Sequence, residues 1–244
     1  MKKTTSCLIT LFASVILFAP KAFAMPENPD VQSAEEIARA HAIIARDFAG
    51  AIDPSEWIHT KNLDILKMYP QLDPTHAVPS DLLATAMAYF EANKGSFPNQ
   101  SYVTIVDFKP RSDKSRLFII SLTDGSVQKF HTTHGVNSDT DKDGIATVFG
   151  NGINSGMSSL GFVRTAEVYT GAYHRAVRLD GLSTTNSNIR DRAVVFHGWD
   201  KVHEANVIQG MSHGCITLDW KVKDAAIDKI KEGSLMYVGR SSNP

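Results

Sequence analysis

Apolar residues recur at helical spacing in the first part of the chain. The sequence Ser33-Ala-Glu-Glu36 has the form of a capping box, in which a hydroxyl and a carboxylate satisfy the first free amides of a helix. Further start signals stand at Asp53-Pro54 and at Ser80, each followed by apolar residues on one helical face. These patterns predict a helical N-terminal segment over residues 25–98.

From residue 102 onward the apolar residues follow the pattern expected of short strands. Runs rich in β-branched and aromatic residues predict strands over residues 102–108, 116–122, 126–133, 165–169, 176–179, 193–197, 215–218 and 235–238. One late helix is predicted over residues 219–232, and Gly233 lies just beyond its end. The sequence therefore predicts a mainly β domain over residues 99–244, built as a mostly antiparallel sandwich or barrel.

The start of the chain has the pattern of an export signal. A basic start is followed by an apolar run over residues 8–19 and by a small-x-small cleavage site at residues 22–24. We predict a signal peptide over residues 1–24 and export to the periplasm or a comparable envelope space. The apolar run is broken by Pro20 and is too short to cross a bilayer, so we expect no stable membrane insertion.

Charge and cysteine content narrow the class of protein. Lysine and arginine number 25 against 26 acidic residues, a balance that provides no broad basic surface for nucleic-acid phosphates. Of the two cysteines, Cys7 lies in the predicted signal peptide, so Cys215 is left without a partner for a disulfide. Such a thiol is either a small buried core residue or a reactive group.

The strongest chemical pattern lies between residues 193 and 218. An apolar run ends in His197-Gly198, and Ser212-His213-Gly214-Cys215 follows after a further stretch of chain. A thiol attacks a carbonyl as thiolate, and a nearby imidazole lowers the thiol pKa and returns the proton to the leaving amine. The pattern therefore favours Cys215 as a nucleophile and His197 as its base.

Glycine residues flank both of these candidates. Gly198 leaves room beside the imidazole of His197. Gly214 lets the chain turn, so that the amides of His213, Gly214 and Cys215 could point at a developing oxyanion.

The spacing of His197 and Ser212-His213-Gly214-Cys215 resembles the signature of the YkuD-type L,D-transpeptidase catalytic domain, over residues 82–239. Further pieces resemble a divergent branch often labelled a murein L,D-transpeptidase domain: His134-Gly135, Phe149-Gly-Asn151, Ser158-Ser-Leu-Gly161-Phe162 and the run from Arg192 to Gly198. The resemblance implies a β-rich catalytic fold, a Cys215 nucleophile, a His197 base oriented by the Gly198 carbonyl, and no cofactor.

The resemblance also implies a reaction on peptidoglycan stem peptides. Cys215 would take an acyl group from an L-centre bonded to a D-residue and pass it to an amine. Water could resolve the same acyl-enzyme, giving an L,D-carboxypeptidase or endopeptidase. A non-catalytic wall-binding protein with the same fold is a further alternative. No pattern in the sequence indicates an oligomeric state.

Substrate contacts are expected from Ser212, His134 and Arg192. Members of the family often have arginine or asparagine two residues after the cysteine, where this chain has Thr217. The bidentate fork for a diaminopimelate carboxylate would then come from Arg192, or from one of Arg175 and Arg178.

Two metal sites are weaker alternatives. His197, His213 and Cys215, with His131 or His134, are residue types that bind zinc, but no ligand-spaced pair of cysteines accompanies them. The sequence Asp139-Thr-Asp141-Lys-Asp143-Gly144 imitates the first half of a calcium loop, but Gly150 stands where the bidentate glutamate belongs. A solvated acidic loop is the favoured interpretation, and no metal is expected.

Overall fold

The structure, a computed structural model, describes residues 30–51 and 65–242. In these ranges the α-helices are α1 (Ala34–Asp47), α2 (Ser80–Ala92) and α3 (Trp220–Ile230). The strands are β1 (Tyr102–Asp107), β2 (Leu117–Ser121), β3 (Val127–Phe130), β4 (His134–Gly135), β5 (Gly161–Gly171), β6 (His174–Gly181), β7 (Val195–Gly198), β8 (Met211–Ser212), β9 (Ile216–Leu218) and β10 (Leu235–Gly239). Short 3₁₀ turns lie at Leu66–Met68, Lys94–Ser96 and Val136–Ser138. The predicted signal peptide and the helix start at Asp53 lie outside the described residues.

The start of α1 confirms the predicted capping box. The Glu36 amide donates to Ser33 Oγ at 3.2 Å, and the Ser33 amide donates to the Glu36 carboxylate at 2.8 Å. Two amides that would otherwise lack partners are thereby satisfied.

An eight-stranded sheet confirms the mainly β class. Its order is β3-β2-β1-β10-β5-β6-β7-β9, and a separate two-stranded sheet joins β4 to β8. Neighbours in the large sheet are antiparallel except for two parallel pairs, β1 with β10 and β7 with β9. Each parallel pair joins strands that are distant in sequence, so the local pattern of residues did not predict it.

Apolar side chains alternate between the two faces of the sheet. On the inner face, Val106 of β1 and Met236 of β10 pack with Ile227 of α3. On the outer face, Ile105 of β1 and the neighbouring strands pack against α2, through Leu83, Met87 and Phe90. The helical segment therefore shares a core with the sheet, and the predicted boundary at residues 98–99 stays a prediction.

Charged side chains cover another part of the outer face, over β5 and β6. Arg190 donates to Asp180 at 2.6 Å and to Glu167 at 2.7 Å. Arg164 donates to Asp47, the last residue of α1, at 2.8 Å. The last of these ion pairs connects α1 to β5, so it holds the N-terminal part of the chain against the outer face of the sheet.

Across residues 30–51 and 65–242, every helix is too short or too polar to cross a membrane.

Candidate active site

The register of β7 and β9 determines which face carries the candidate pair. Phe196 pairs with Ile216, and both belong to the inner core. His197 pairs with Thr217, and successive strand residues point to opposite faces, so both side chains point to the outer face. Cys215 comes two residues before Thr217 and therefore lies on the same face as His197.

The imidazole of His197 is fixed by its surroundings. It is buried, and its Nδ1 donates to the Gly198 carbonyl at 2.8 Å, which leaves Nε2 able to accept a proton. Burial lowers the pKa of His197 to about 4, although the hydrogen bond to Gly198 opposes this shift. Tyr173 stacks on the ring with the centroids 4.0 Å apart. At neutral pH this imidazole is uncharged.

Cys215 as a whole residue is partly exposed. Its Sγ lies 3.8 Å from the Ala193 carbonyl, to which the thiol donates. Burial by the surrounding protein raises the pKa of this thiol, whereas a backbone hydrogen bond from Val195 and the charge of Arg192 lower it. The neutral thiol is therefore the resting form at neutral pH.

The turn before Cys215 requires glycine. Gly214 has φ +117°, and a Cβ there would lie 2.7 Å from the Met157 carbonyl oxygen. Ser212 Oγ donates to the Cys215 carbonyl at 2.8 Å and accepts from the Gly214 amide at 3.1 Å. The Gly214 amide is thus already engaged, which leaves the amides of His213 and Cys215 as candidate oxyanion donors. Ser212 braces the turn through this contact.

Arg192 lies beneath the same turn. Its guanidinium donates to the carbonyls of Gly150 and Met157 and to Ser159 Oγ, at 2.5–3.1 Å. These contacts hold residues 150–159 against Gly214. The arginine places a positive charge near Cys215, but its donors serve the loop, so the expected fork for a substrate carboxylate does not fit this placement.

His134 is fully buried, and both of its ring nitrogens have partners. Arg116 donates to Nδ1 at 2.8 Å, so Nε2 carries the proton and donates to Asp139 at 3.2 Å. Burial lowers the pKa of Arg116 to about 9 and that of His134 to about 4, so only the arginine is charged at neutral pH. The expected contact between this ring and substrate does not fit its burial. The strand that carries His134 instead supports the turn before Cys215, because Gly135 pairs with Ser212 where β4 meets β8.

Residues of the β5–β6 hairpin also lie at this face, and the sequence did not single out two of them. Arg178 stacks over the Tyr169 ring at 3.8 Å, and Tyr173 covers His197. Arg175 points to the inner face, where it donates to Asp228 of α3 at 2.6 Å. Of the two alternative arginines, only Arg178 therefore faces the candidate site. Tyr169 lay in a predicted strand, but the place of Tyr169 and Tyr173 at this face depends on how β5 pairs with β6, which the local sequence does not show.

The candidate zinc ligands do not converge. Among the described residues, the group of possible ligands that meets within 4.8 Å consists of Asp139, Asp141 and Asp143. Asp139 of this group is buried and accepts from the amides of residues 143 and 144 as well as from His134. These contacts favour the interpretation of this segment as an acidic loop braced by Asp139.

Comparison with known proteins assigns the chain to a family. The YkuD_2 family model, the L,D-transpeptidase catalytic domain, matches residues 75–238, more than half of the chain. No curated protein matches.

Among solved structures, an L,D-transpeptidase from Mycobacterium smegmatis is 15% identical, with 57% of this chain and 58% of that chain covered and a TM-score of 0.35. L,D-transpeptidase 1 of Mycobacterium tuberculosis is 15% identical, with 57% of this chain and 60% of that chain covered and a TM-score of 0.33. An L,D-transpeptidase from Stackebrandtia nassauensis is 10% identical, with 83% of this chain and 92% of that chain covered and a TM-score of 0.37. The chain spans less than two thirds of the first two structures, and at these TM-scores the likeness supports no conclusion about activity.

Proposed function

Because the chain belongs to the family of L,D-transpeptidase catalytic domains, we propose that it is a cysteine acyltransferase of the cell envelope that acts on peptidoglycan stem peptides. The proposal assigns Cys215 as nucleophile and His197 as base. The predicted signal peptide would export the enzyme to the periplasm or a comparable space, where this substrate lies.

The observation that carries the proposal is the placement of the pair on one face of two neighbouring strands. His197 and the residue two after Cys215 are in register, and strands in a sheet lie about 4.8 Å apart. The Gly198 carbonyl occupies Nδ1, so the remaining nitrogen, Nε2, is the one that can take the proton of the thiol. This division of roles needs no acidic third residue.

Formation of the acyl-enzyme begins with a rotation of the Cys215 side chain away from the Ala193 carbonyl. Nε2 of His197 takes the S–H proton, and the thiolate attacks the donor carbonyl. The amides of His213 and Cys215 donate to the oxyanion, while the charge of Arg192 stabilises the thiolate. The C–N bond then breaks, the imidazolium gives its proton to the leaving amine, and a thioester remains on Cys215.

The acceptor determines the product. An amine attacks the thioester, His197 takes one of its protons, and Sγ leaves as the thiol after receiving that proton. This sequence forms a cross-link or exchanges an amino acid. Water following the same route gives a carboxypeptidase or endopeptidase. Both reactions use the same residues, so product analysis distinguishes them.

Mass spectrometry of purified disaccharide-tetrapeptides incubated with the protein tests the proposal. Transpeptidation gives a cross-linked dimer with loss of the terminal D-residue, whereas hydrolysis gives the trimmed tripeptide. The Cys215→Ala variant is the matched control and should give neither product. Dimers formed equally well by that variant, or no product from the wild type, would contradict the proposal.

A further inference from the structure

The tip of the β5–β6 hairpin forms a polar cradle on the outer face. Tyr169 and Ala176 are paired across the hairpin, and the chain turns between Gly171 and His174. The Ala172 amide and the Tyr169 hydroxyl donate to the same side chain carboxylate. A donor hydroxyl, a backbone amide and a nearby guanidinium are the groups that bind a carboxylate well.

The carboxylate in this cradle belongs to Asp30 of the same chain. Its Oδ1 accepts from Tyr169 Oη at 2.8 Å, and its Oδ2 accepts from the Ala172 amide at 3.1 Å. Its backbone carbonyl accepts from Arg178 at 2.5 Å. A Cβ on Gly171 would overlap Oδ1 of Asp30, so the absence of a side chain there makes room for the carboxylate.

The cradle lies beside the candidate nucleophile. Arg178 pairs with Val195 on β7. On the next strand, Phe196 pairs with Ile216 and the two strands are parallel. Val195, one residue before Phe196, therefore lies beside Cys215, one residue before Ile216. Two strand spacings of about 4.8 Å separate the backbones of Arg178 and Cys215, a span that one stem peptide covers. Asp30 is also close enough to act electrostatically on both Cys215 and His197.

A second contact holds the same N-terminal segment over the hairpin. Gln32 accepts from Arg190 at 2.9 Å and donates to Glu167 at 3.4 Å. Asp30 and Gln32 thus reach the hairpin through polar contacts. Polar contacts of this kind exchange readily with water or with another polar ligand, because their net contribution is small.

We propose that Tyr169, Arg178 and the Ala172 amide form a subsite for a free carboxylate of the donor stem peptide, and that Asp30 fills this subsite when no substrate is bound. The proposal rests on the proposed function for the identity of its ligand. Asp30 then competes with substrate from within the chain, and the segment that carries it leaves the cradle when the peptide binds.

Calorimetric binding to the full-length Cys215→Ala protein tests the subsite without any turnover. The probe is the tetrapeptide Ala-γ-Glu-diaminopimelate-Ala as the free acid. Three further peptides each carry one amide, at the C-terminal carboxylate, at the free diaminopimelate carboxylate or at the α-carboxylate of the γ-linked glutamate. We expect one of these amides to bind about tenfold more weakly, which identifies the carboxylate that enters the cradle.

Variants in the same background separate competition from simple anchoring. Asp30→Ala should bind the free acid about tenfold more tightly, because the competing carboxylate is gone. When Gly171→Ala or Tyr169→Phe is added to Asp30→Ala, the free acid should bind about tenfold more weakly. The affinity for the amide that already binds weakly should stay unchanged. Glu35→Ala removes the same charge from an exposed position of α1 and should leave binding unchanged.

Equal affinities of Asp30→Ala and its parent would overturn the competition, and equal affinities for all four peptides would overturn the subsite. Absence of binding in every variant would overturn it as well. The proposed function fails independently of this test. If the cradle binds the peptides as expected but the protein forms neither dimer nor trimmed product, the subsite is supported and the transpeptidase assignment is refuted.

Discussion

The outer face of the sheet carries two different kinds of cover. Over β1, β10 and the start of β5 the cover is α2, with Tyr89 stacked on Phe162 at 3.9 Å and Phe162 stacked on Tyr237 at 4.6 Å. Over β5 and β6 the cover is the segment that carries Asp30 and Gln32, held by hydrogen bonds. The first cover removes apolar area from water, whereas the second exchanges one set of polar partners for another.

This difference separates the part of the molecule that stabilises the fold from the part that can accept a ligand. Burial of an aromatic side chain has no substitute in water, so the α2 cover cannot leave without unfolding the core. A hydrogen-bonded carboxylate can be replaced by another carboxylate at little cost. The candidate catalytic residues lie at the end of the sheet with the replaceable cover.

The largest effect is expected from His197→Ala, at the polar end. Turnover should fall by about 10²–10⁴, because proton transfer to and from Cys215 loses its base. The protein should stay folded, and the fall in turnover should far exceed the effect of any shift in the midpoint of chemical denaturation. The control is His203→Ala, an exposed histidine between β7 and β9. Wild-type turnover in folded His197→Ala would show that another group is the base.

Phe90→Ala tests the apolar end and should destabilise the fold by about 3–5 kcal/mol, because it leaves a cavity between α2 and the sheet. Denaturant unfolding measures this loss, and Phe90→Leu should cost about 1.5 kcal/mol or less. Turnover per folded molecule should stay within a few-fold of the wild type. A folded Phe90→Ala protein without activity would mean that the two ends of the outer face are not separable.

The smallest effect concerns the resting protonation of the pair. Burial raises the pKa of Cys215, and His197 remains neutral above its pKa of about 4, so no thiolate–imidazolium pair forms at rest. The rate of alkylation by iodoacetamide, followed on the peptide that contains Cys215, should rise with pH and reach half its maximum at a higher pH than that of an ordinary exposed thiol. N-acetylcysteine provides the matched exposed thiol. A plateau that begins below neutral pH would indicate that the ion pair exists at rest.

The apolar end could be predicted from the sequence, because its signals are local. The start signal at Ser80 and the apolar residues that follow it predict α2, which begins at that residue. The alternation of Ile105 and Val106 between the two cores follows from the period of a strand. The mainly β class was predicted correctly for the same reason.

The polar end could be predicted only in part. The candidate pair His197 and Cys215 was recognisable from residue type and spacing, and their roles stay predictions until they are measured. The contact of Asp30 with Tyr169 spans 139 positions in the sequence, so no local pattern indicates it. The partners of Arg192 and His134 likewise depend on loops that meet only in the folded chain.

Detection of the acyl-enzyme tests the central claim most directly. The full-length protein is mixed with the tetrapeptide donor, quenched in acid, and its intact mass and the peptide that contains Cys215 are measured. We expect a mass increase equal to the donor without its terminal residue, located on Cys215 and absent from Cys215→Ala. An adduct on any other residue, or one that persists in Cys215→Ala, would contradict the account.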